Sequence, residues 1–307
     1  MRLTILTTFF RNKQDVIKIY ENYKKNLSSE NIKYFFVNDN FQDEVWNEIE
    51  KIAKNDENIT ALCFDKNYGQ LSAIKSGIEN ITDGNILYHD GDTIIDKSFI
   101  EKSLLLINGK EADIVWGQPK QSVLGQPISS GFFLRNVFKL IYKFFSKQNY
   151  YYKSLFLINE TVLKITKNAF KGGESIIGEI LTSMDVKQKF LQAEFEHNYK
   201  NSRYNFFSKF FHAIKHLTPY LENIYLKSII ASSLLSLFLL IIIILTFFLR
   251  LLGVVSFLPG WFSIILITIF LNVVVIFLIC LTSLFNIEQI KNINKKKPII
   301  EKMINKK

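Results

Sequence analysis

Cysteine is nearly missing from this chain. Two occur in 307 residues, Cys63 and Cys280. That excludes a fold stapled by disulfides. Cys63 falls in a candidate strand and Cys280 in a distant apolar run, so the two are not expected to meet. A signal peptide is not expected either. The opening MRLTILTTFFRNK is too short an apolar run for a signal peptide, and it lacks a small-residue cleavage site, so it reads as a first strand. No internal repeat is visible. Charge imbalance is absent from the first two-thirds, where residues 1–195 carry 25 Lys and Arg against 24 Asp and Glu. The net charge of +10 therefore lies elsewhere: residues 196–227 contribute +3, Arg250 adds one, and residues 288–307 contribute +5. An excess placed this way argues against a nucleic-acid partner and for anionic headgroups or lipid phosphate.

What is present is apolar. Hydrophobic residues make up 48% and charged ones 21%, which excludes a disordered chain. Two stretches carry no charge at all, Ser228 to Leu249 and Leu251 to Ile287. A bilayer needs about 20 mostly apolar residues per helix. The first stretch predicts one span. The second, broken by Pro259-Gly260-Trp261, predicts a turn and another span over Phe262 to Leu284. Lys209, Lys215 and Lys227 precede the first span, Lys291 and Lys295 to Lys297 follow the second, and only Arg250 sits between. The positive-inside rule then puts both termini in the cytoplasm and the turn outside.

The first 117 residues alternate short apolar runs with amphipathic ones. Strands are predicted at Leu3–Thr8, Tyr34–Val37, Ile59–Phe64, Ile86–His89 and Asp113–Trp116, with helices between them. This rhythm predicts an α/β domain built on a mostly parallel sheet. In such sheets ligands bind beyond the carboxyl ends of the strands. Residues 118–200 are less regular: Asn136–Lys147 is basic and aromatic, Asn159–Lys167 and Glu174–Met184 read as helices, and Lys189–Phe195 reads as a returning strand. Residues 204–227, rich in Phe and Lys, predict amphipathic helices in the membrane interface. The expected division is therefore residues 1–203, 204–227, 228–287 and a solvated basic tail at 288–307.

Three predicted strands end in polar residues that could share one crevice. The second ends Val37-Asn38-Asp39-Asn40, the third leads into Lys66-Asn67-Tyr68-Gly69-Gln70, and the fourth ends His89-Asp90-Gly91-Asp92. In this order and spacing they resemble the inverting nucleotide-sugar glycosyltransferases of the GT-A fold. Among these the chain looks like the polyprenyl-phosphate glycosyltransferases, the group of dolichol-phosphate mannose synthase and the bactoprenol glucosyltransferases. That family's Val-Asp-Asp-Gly-Ser strand end is matched by Val37 to Asn40, its Arg-Asn-x-Gly-Gln helix start by Lys66 to Gln70, and its Asp-x-Asp by Asp90-Gly91-Asp92. An Asn-Glu-like turn after the first strand is matched loosely by Phe10 to Lys13. A late Gly-Lys-Ser-x-Tyr-like segment is echoed by Lys200 to Asn205, and a closing basic-Pro stretch by Lys297-Pro298. The chain departs at Ile94, where several relatives carry Gln as a metal contact, at Asn38 in the Asp-rich strand end, and after the fifth strand, where Lys120 stands near the usual Arg.

The resemblance implies a nucleoside-diphosphate sugar donor, expected to be a UDP-sugar. It implies Mg²⁺ or Mn²⁺ held by Asp92 and Asp90, the two residues assigned to catalysis. Asp39, Lys66, Asn67, Gly69, Gln70 and Asp90 are then expected to bind the donor. Backbone N–H groups at the Gly69-Gln70 helix start could face it. The implied acceptor is polyprenyl (undecaprenyl) phosphate, with Arg203, Lys200, Ser202 and Arg135 as its candidate clamp and Lys139 and His197 as further candidates. A phosphomonoester, with a second pKa of about 6, is already charged near neutrality and needs little help from a base. Glu174 and Glu179 remain possible bases, on a stretch where surface charges are the simpler expectation. The implied setting is the inner membrane of a bacterium, in cell-wall or O-antigen biogenesis, with membrane lipids as partners and self-association plausible. Two alternatives stay open: a lipid-linked saccharide or glycolipid acceptor on the same fold, and a silent membrane scaffold that keeps the nucleotide crevice.

Overall fold

The first strand, β1 (Leu3–Phe9, LTILTTF), has no charged residue and is buried throughout. Continuous burial belongs to a strand covered on both faces, as in a parallel sheet flanked by helices. Its neighbours repeat the pattern: β2 (Ile32–Asn38), β3 (Ile59–Phe64) and β4 (Asn85–Asp90) are apolar runs almost wholly out of water. The computed structural model describes residues 2–10, 13–27, 32–42, 44–119, 138–144, 153–172, 176–197, 220–254, 260–293 and 298–304.

Helices α1 (Lys13–Asn26), α2 (Val45–Asn55) and α3 (Gln70–Asn80) connect these strands in βαβ fashion. A three-residue strand β5 (Thr93–Ile95), helix α4 (Lys97–Asn108) and β6 (Ile114–Pro119) follow. Then come β7 (Leu155–Ile158), α5 (Glu160–Lys171), α6 (Ile177–Ser183), β8 (Gln188–Ala193) and β9 (Phe195–His197). Among the described residues two helix starts carry side-chain caps. Asp96 accepts from the Phe99 amide at 3.1 Å at α4, and Asn159 from the Val162 amide at 2.9 Å at α5.

The main sheet has eight strands in the order β10-β3-β2-β1-β4-β7-β6-β8, where β10 is Ile300–Ile304. Strands β3, β2, β1 and β4 run parallel to one another, and β7 is antiparallel to both β4 and β6. A separate ribbon pairs β5 with β9. Alternate residues feed two cores. Ile5, Tyr34, Phe36 and Leu87 pack on the face of α1, α2 and α4, while Leu6, Phe35, Val37, Ile86 and Tyr88 pack on the face of α3, α5 and α6. The register sets Phe9 beside Asn38 and Thr8 beside Asp90, so the polar strand ends meet at one edge.

The α/β reading and the mostly parallel sheet agree with what the sequence predicts. The tail differs. Expected as a solvated basic end, it returns to the sheet: Ile300 stands opposite Phe64 and Ile304 opposite Ala61, antiparallel to β3. The chain falls into two compact units, one of residues 1–140, 149–216 and 296–307, the other of residues 141–148 and 217–295.

The second unit contains α7 (Leu221–Leu251) and α8 (Trp261–Ile293), which lie against each other. Near the start of α7, Lys227 donates to the Phe144 carbonyl at 2.6 Å, and the Tyr142 and Tyr220 hydroxyls meet at 3.2 Å. The basic, aromatic stretch at 136–147, helical over 138–144, thus contributes its residues 141–144 to the helical unit. Among the described residues one helix is long and apolar enough to cross a membrane, over Tyr225–Leu251 with mean hydropathy 2.8. In α8 the apolar segment of that kind is shorter, Leu266–Cys280, so the second expected span is not established by length and composition. The expected interfacial helices at 204–219, like Arg11, Asn12, Lys120, Arg135, Glu174, Lys200, Ser202 and Arg203, lie outside the described residues.

Candidate active site

The edge where β1, β2, β3 and β4 end gathers most of the residues singled out from the sequence. Asp39 follows β2 and is buried. Its two carboxylate oxygens accept the Tyr68 and Gly69 amides, each at 2.8 Å. Asp39 thus ties the turn after β2 to the loop that opens α3. Asn67 Oδ1 shares the Gly69 amide at 2.8 Å. Gly69 itself has φ +88° and ψ 155°, a region essentially closed to side chains. The Tyr68 and Gly69 amides therefore face Asp39 and are not free for a ligand. Lys66 and Asn67 are exposed, with the Lys66 ammonium 5.4 Å from the Tyr68 ring centre.

Across the edge, Asp90 is held by three elements. Tyr88, two residues earlier on the same strand face, donates to Asp90 Oδ1 at 2.5 Å. Gln70, the first residue of α3, donates to the same oxygen at 2.5 Å and to the Tyr88 hydroxyl at 3.2 Å. The Ser154 hydroxyl, entering before β7, also bonds Asp90. Burial pushes the Asp90 carboxyl up to about 6, and the Asp92 charge adds to that, against the bonds from Tyr88, Ser154 and Gln70. Burial likewise holds Tyr88 protonated, so its hydroxyl is the donor.

His89 points to the opposite face, 1% exposed. Its Nδ1 lies 2.8 Å from the Asp90 carbonyl oxygen, which can only accept, so Nδ1 carries the proton. Nε2 then accepts from Thr7 and Tyr23, each at 3.0 Å. Burial pushes this imidazole down to about 4, so it is neutral. The ring fixes the backbone between the two aspartates without facing the crevice.

Gly91 separates them for a steric reason. A Cβ there would stand 2.4 Å from the Thr8 carbonyl oxygen and 2.6 Å from the Phe9 ring. Its amide donates to that same oxygen at 3.1 Å. Asp92, partly exposed, accepts from the Thr93 hydroxyl at 3.0 Å through one oxygen. Ile94, at the position where relatives carry Gln, packs against the core.

These donors suit a hard divalent cation of the Mg²⁺ or Mn²⁺ class. Such ions are commonly held by one or two carboxylates together with substrate phosphates and water. Asp92 keeps an oxygen beyond its bond to Thr93. Asp90 Oδ1 is already shared by Tyr88 and Gln70, so Asp92 would be the stronger direct ligand for such an ion. Among the described residues no group of three His, Cys, Asp or Glu side chains converges into a complete protein cage.

Glu179, expected as a surface charge, is buried on α6 and paired with the equally buried Lys153 at 2.8 Å. Lys153 directly precedes Ser154. Neither this pair nor Ser154 is legible in the sequence, because Glu179 reaches Lys153 and Ser154 reaches Asp90 only through the fold. Tyr88 was detectable from its period-two relation to Asp90.

The model for glycosyl transferase family 2 matches residues 4–158, just over half of the chain. The chain belongs to that family. The matched stretch runs from β1 to β7 and includes Asp39, Gln70, Tyr88, Asp90, Asp92 and Ser154. No curated protein matches the chain. Similar solved structures include TarS 1-349 of S. aureus in complex with UDP-GlcNAc, at 13% identity and TM-score 0.49, covering 72% of this chain and 66% of that one. Another is the mannosyltransferase PcManGT of Pyrobaculum calidifontis with GDP-Man and Mn2+, at 10% identity and TM-score 0.47, covering 74% and 64%. The chain thus spans just under two-thirds of their lengths. The lipid-phosphate candidates Arg203, Lys200, Ser202 and Arg135 lie outside the described residues, as does the side chain of His197.

Proposed function

We propose that this family 2 glycosyltransferase moves a sugar from a nucleoside-diphosphate donor, a UDP-sugar in our reading, onto polyprenyl phosphate at the cytoplasmic leaflet of a bacterial inner membrane. The observation that carries the proposal is the β5–β9 ribbon, which sets residue 197 opposite Thr93, one residue beyond Asp92. Lys200 follows three residues later, so at most about 11 Å of extended backbone separates it from that pairing. Ser202 and Arg203 come just after. A cationic segment leaving the rim of the crevice suits an anionic acceptor.

The donor diphosphate lies beside Asp90 and Asp92 in this reading, with the nucleoside toward Asp39 and the Lys66–Gln70 loop. A divalent cation held by Asp92 would neutralise charge on the departing diphosphate. An acceptor phosphate oxygen attacks the anomeric carbon, the bond from that carbon to the diphosphate oxygen breaks, and the nucleoside diphosphate leaves with the electron pair. Configuration inverts in this single displacement. The attacking oxygen already bears charge near pH 7, so no protein base is required. A sugar hydroxyl would need one, and the buried Glu179 is engaged by Lys153.

Two features support a membrane setting. Along α7 large apolar side chains lie exposed, Leu234 at 63% and Phe238 at 58% among them, an arrangement suited to lipid. The return of the tail to β3 supports a hairpin in which α8 crosses as well.

The test is transfer by protein reconstituted in vesicles with undecaprenyl phosphate, Mg²⁺ or Mn²⁺ and a panel of nucleotide sugars. The expected product is an acid-labile lipid phosphate bearing one sugar, read by mass. A product carrying an extended saccharide would replace this acceptor with a glycolipid. Wild-type protein inert with every donor would favour a silent scaffold.

A further inference from the structure

We propose that the C-terminal strand β10 is a positioning clasp for the donor-binding loops, a role that rests on the donor site proposed above. The observation is where the strand lands. Ile300 stands opposite Phe64, the last residue of β3, and the Ile299 carbonyl accepts the Asp65 amide at 3.2 Å. The pairing thus continues past the end of β3 into the first residue of the Lys66–Gly69 loop.

That loop hangs between two anchors. At its far end the Tyr68 and Gly69 amides are fixed on Asp39. At its near end Asp65 is fixed on Ile299 of the tail. Phe64 joins the anchors, because its carbonyl accepts the Phe41 amide at 2.8 Å and its ring meets Tyr68 edge-on at 5.6 Å. The tail also reaches the turn after β2. The Lys302 ammonium sits 4.8 Å from the Phe41 ring centre and 3.9 Å from Glu50. Both segments that carry the donor-side residues, Asp39 on one and Lys66, Asn67, Gly69 and Gln70 on the other, therefore lean on β10.

The strand adds little to the core. Four of its five residues are exposed, and Ile304 alone is half-buried against the apolar cluster. Among the described residues, the wall formed by Tyr88, Asp90, Asp92 and Ser154 is bonded through Gln70 and Thr93 and not through the tail. Releasing β10 therefore loosens the nucleoside side of the crevice and leaves the diphosphate side in place. The expected result is weaker donor binding at nearly unchanged turnover.

The experiment deletes residues 298–307 from the otherwise intact chain in lipid vesicles, and separately makes Lys302→Ala in the full chain. Donor KM, kcat and the Kd of free UDP are measured, together with the melting temperature. For the deletion, donor KM and Kd should rise about tenfold, with kcat held within about twofold. A synthetic peptide of residues 298–307, added in excess, should restore both values. Lys302→Ala should raise Kd about threefold at an unchanged melting temperature. Equal Kd in wild type and Lys302→Ala, or a deletion that loses kcat and KM together and ignores the peptide, overturns the clasp alone. Wild-type protein that binds neither UDP nor any other nucleoside diphosphate overturns the donor site, and the clasp with it.

Discussion

Asp90 and His89 are neighbours on β4, and burial moves their proton affinities in opposite senses. The Asp90 carboxyl rises from 3.8 to about 6, so the folded state prefers it protonated. Its favourable share is complete below pH 3.8 and is lost as pH rises through about 6. His89 falls from 6.5 to about 4, so its share is complete above pH 6.5 and is lost as pH falls toward 4. Each swing is worth about 3 kcal/mol at 1.36 kcal/mol per unit. In the wild type the two oppose each other, and unfolding free energy should be nearly flat from pH 4 to 7 through this pair. Asp90→Asn removes one side. Without divalent cation, the variant should match wild type near pH 4 and exceed it by up to about 3 kcal/mol at pH 7. Denaturant titrations in detergent across that range measure the gap, and a gap independent of pH would remove burial of Asp90 as its cause. Asp92→Asn should keep the fold and lower turnover by about 10²-fold or more, the usual scale for losing a group that steadies developing charge. Gly91→Ala acts sterically: its methyl meets the Thr8 carbonyl and the Phe9 ring, so stability should drop by about 1–3 kcal/mol, with the aspartates displaced.

At the scale of elements, the α6–β7 junction carries a buried ion pair, Lys153 with Glu179. Removing one partner takes the ion pair from the other, still buried charge. Glu179→Gln should therefore cost about 3–5 kcal/mol, whereas Lys153→Met with Glu179→Leu together should come close to wild-type stability. Equilibrium unfolding of the three proteins checks this, and a double variant as unstable as the single one would show that the pair does more than satisfy itself. The same junction marks where the sequence stopped being informative. Strands β1 to β4 were legible because each is a continuous apolar run between amphipathic helices, and Asp39, Gln70, Asp90 and Asp92 because they sit at the ends of those runs. Ser154 and Glu179 were not, because their place beside Asp90 and Lys153 depends on β7 entering antiparallel between β4 and β6, which no local pattern encodes. Strand β10 was hidden for a different reason. Its IEKMI follows a run of lysines and is mostly exposed, so it has the composition of a solvated tail, and backbone pairing with β3 alone makes it a strand.

For the whole molecule, that pairing constrains topology more than hydropathy does. The first unit both precedes and follows the helical one in the chain, since residues 296–307 rejoin the sheet. A strand hydrogen-bonded to β3 must lie on the same side of any membrane as β3 itself. If α7 crosses, the chain must cross again before Ile300, and α8 is the element available, although its apolar segment is confined to Leu266–Cys280. Charge agrees, with Lys227 near the start of α7, Lys291 at the end of α8 and Arg250 alone near the turn between them. The hairpin can be tested with single cysteines placed in a chain lacking Cys63 and Cys280. Gly253→Cys, in the turn, should react with a membrane-impermeant maleimide applied to intact cells from outside. Lys302→Cys, exposed on β10, should react only after the inner membrane is opened. Labelling of both positions from outside would place the sheet outside as well, away from any cytoplasmic pool of nucleotide sugar. Labelling of position 302 alone would invert the hairpin. Either pattern would leave the crevice at Asp92 without the donor we assign to it.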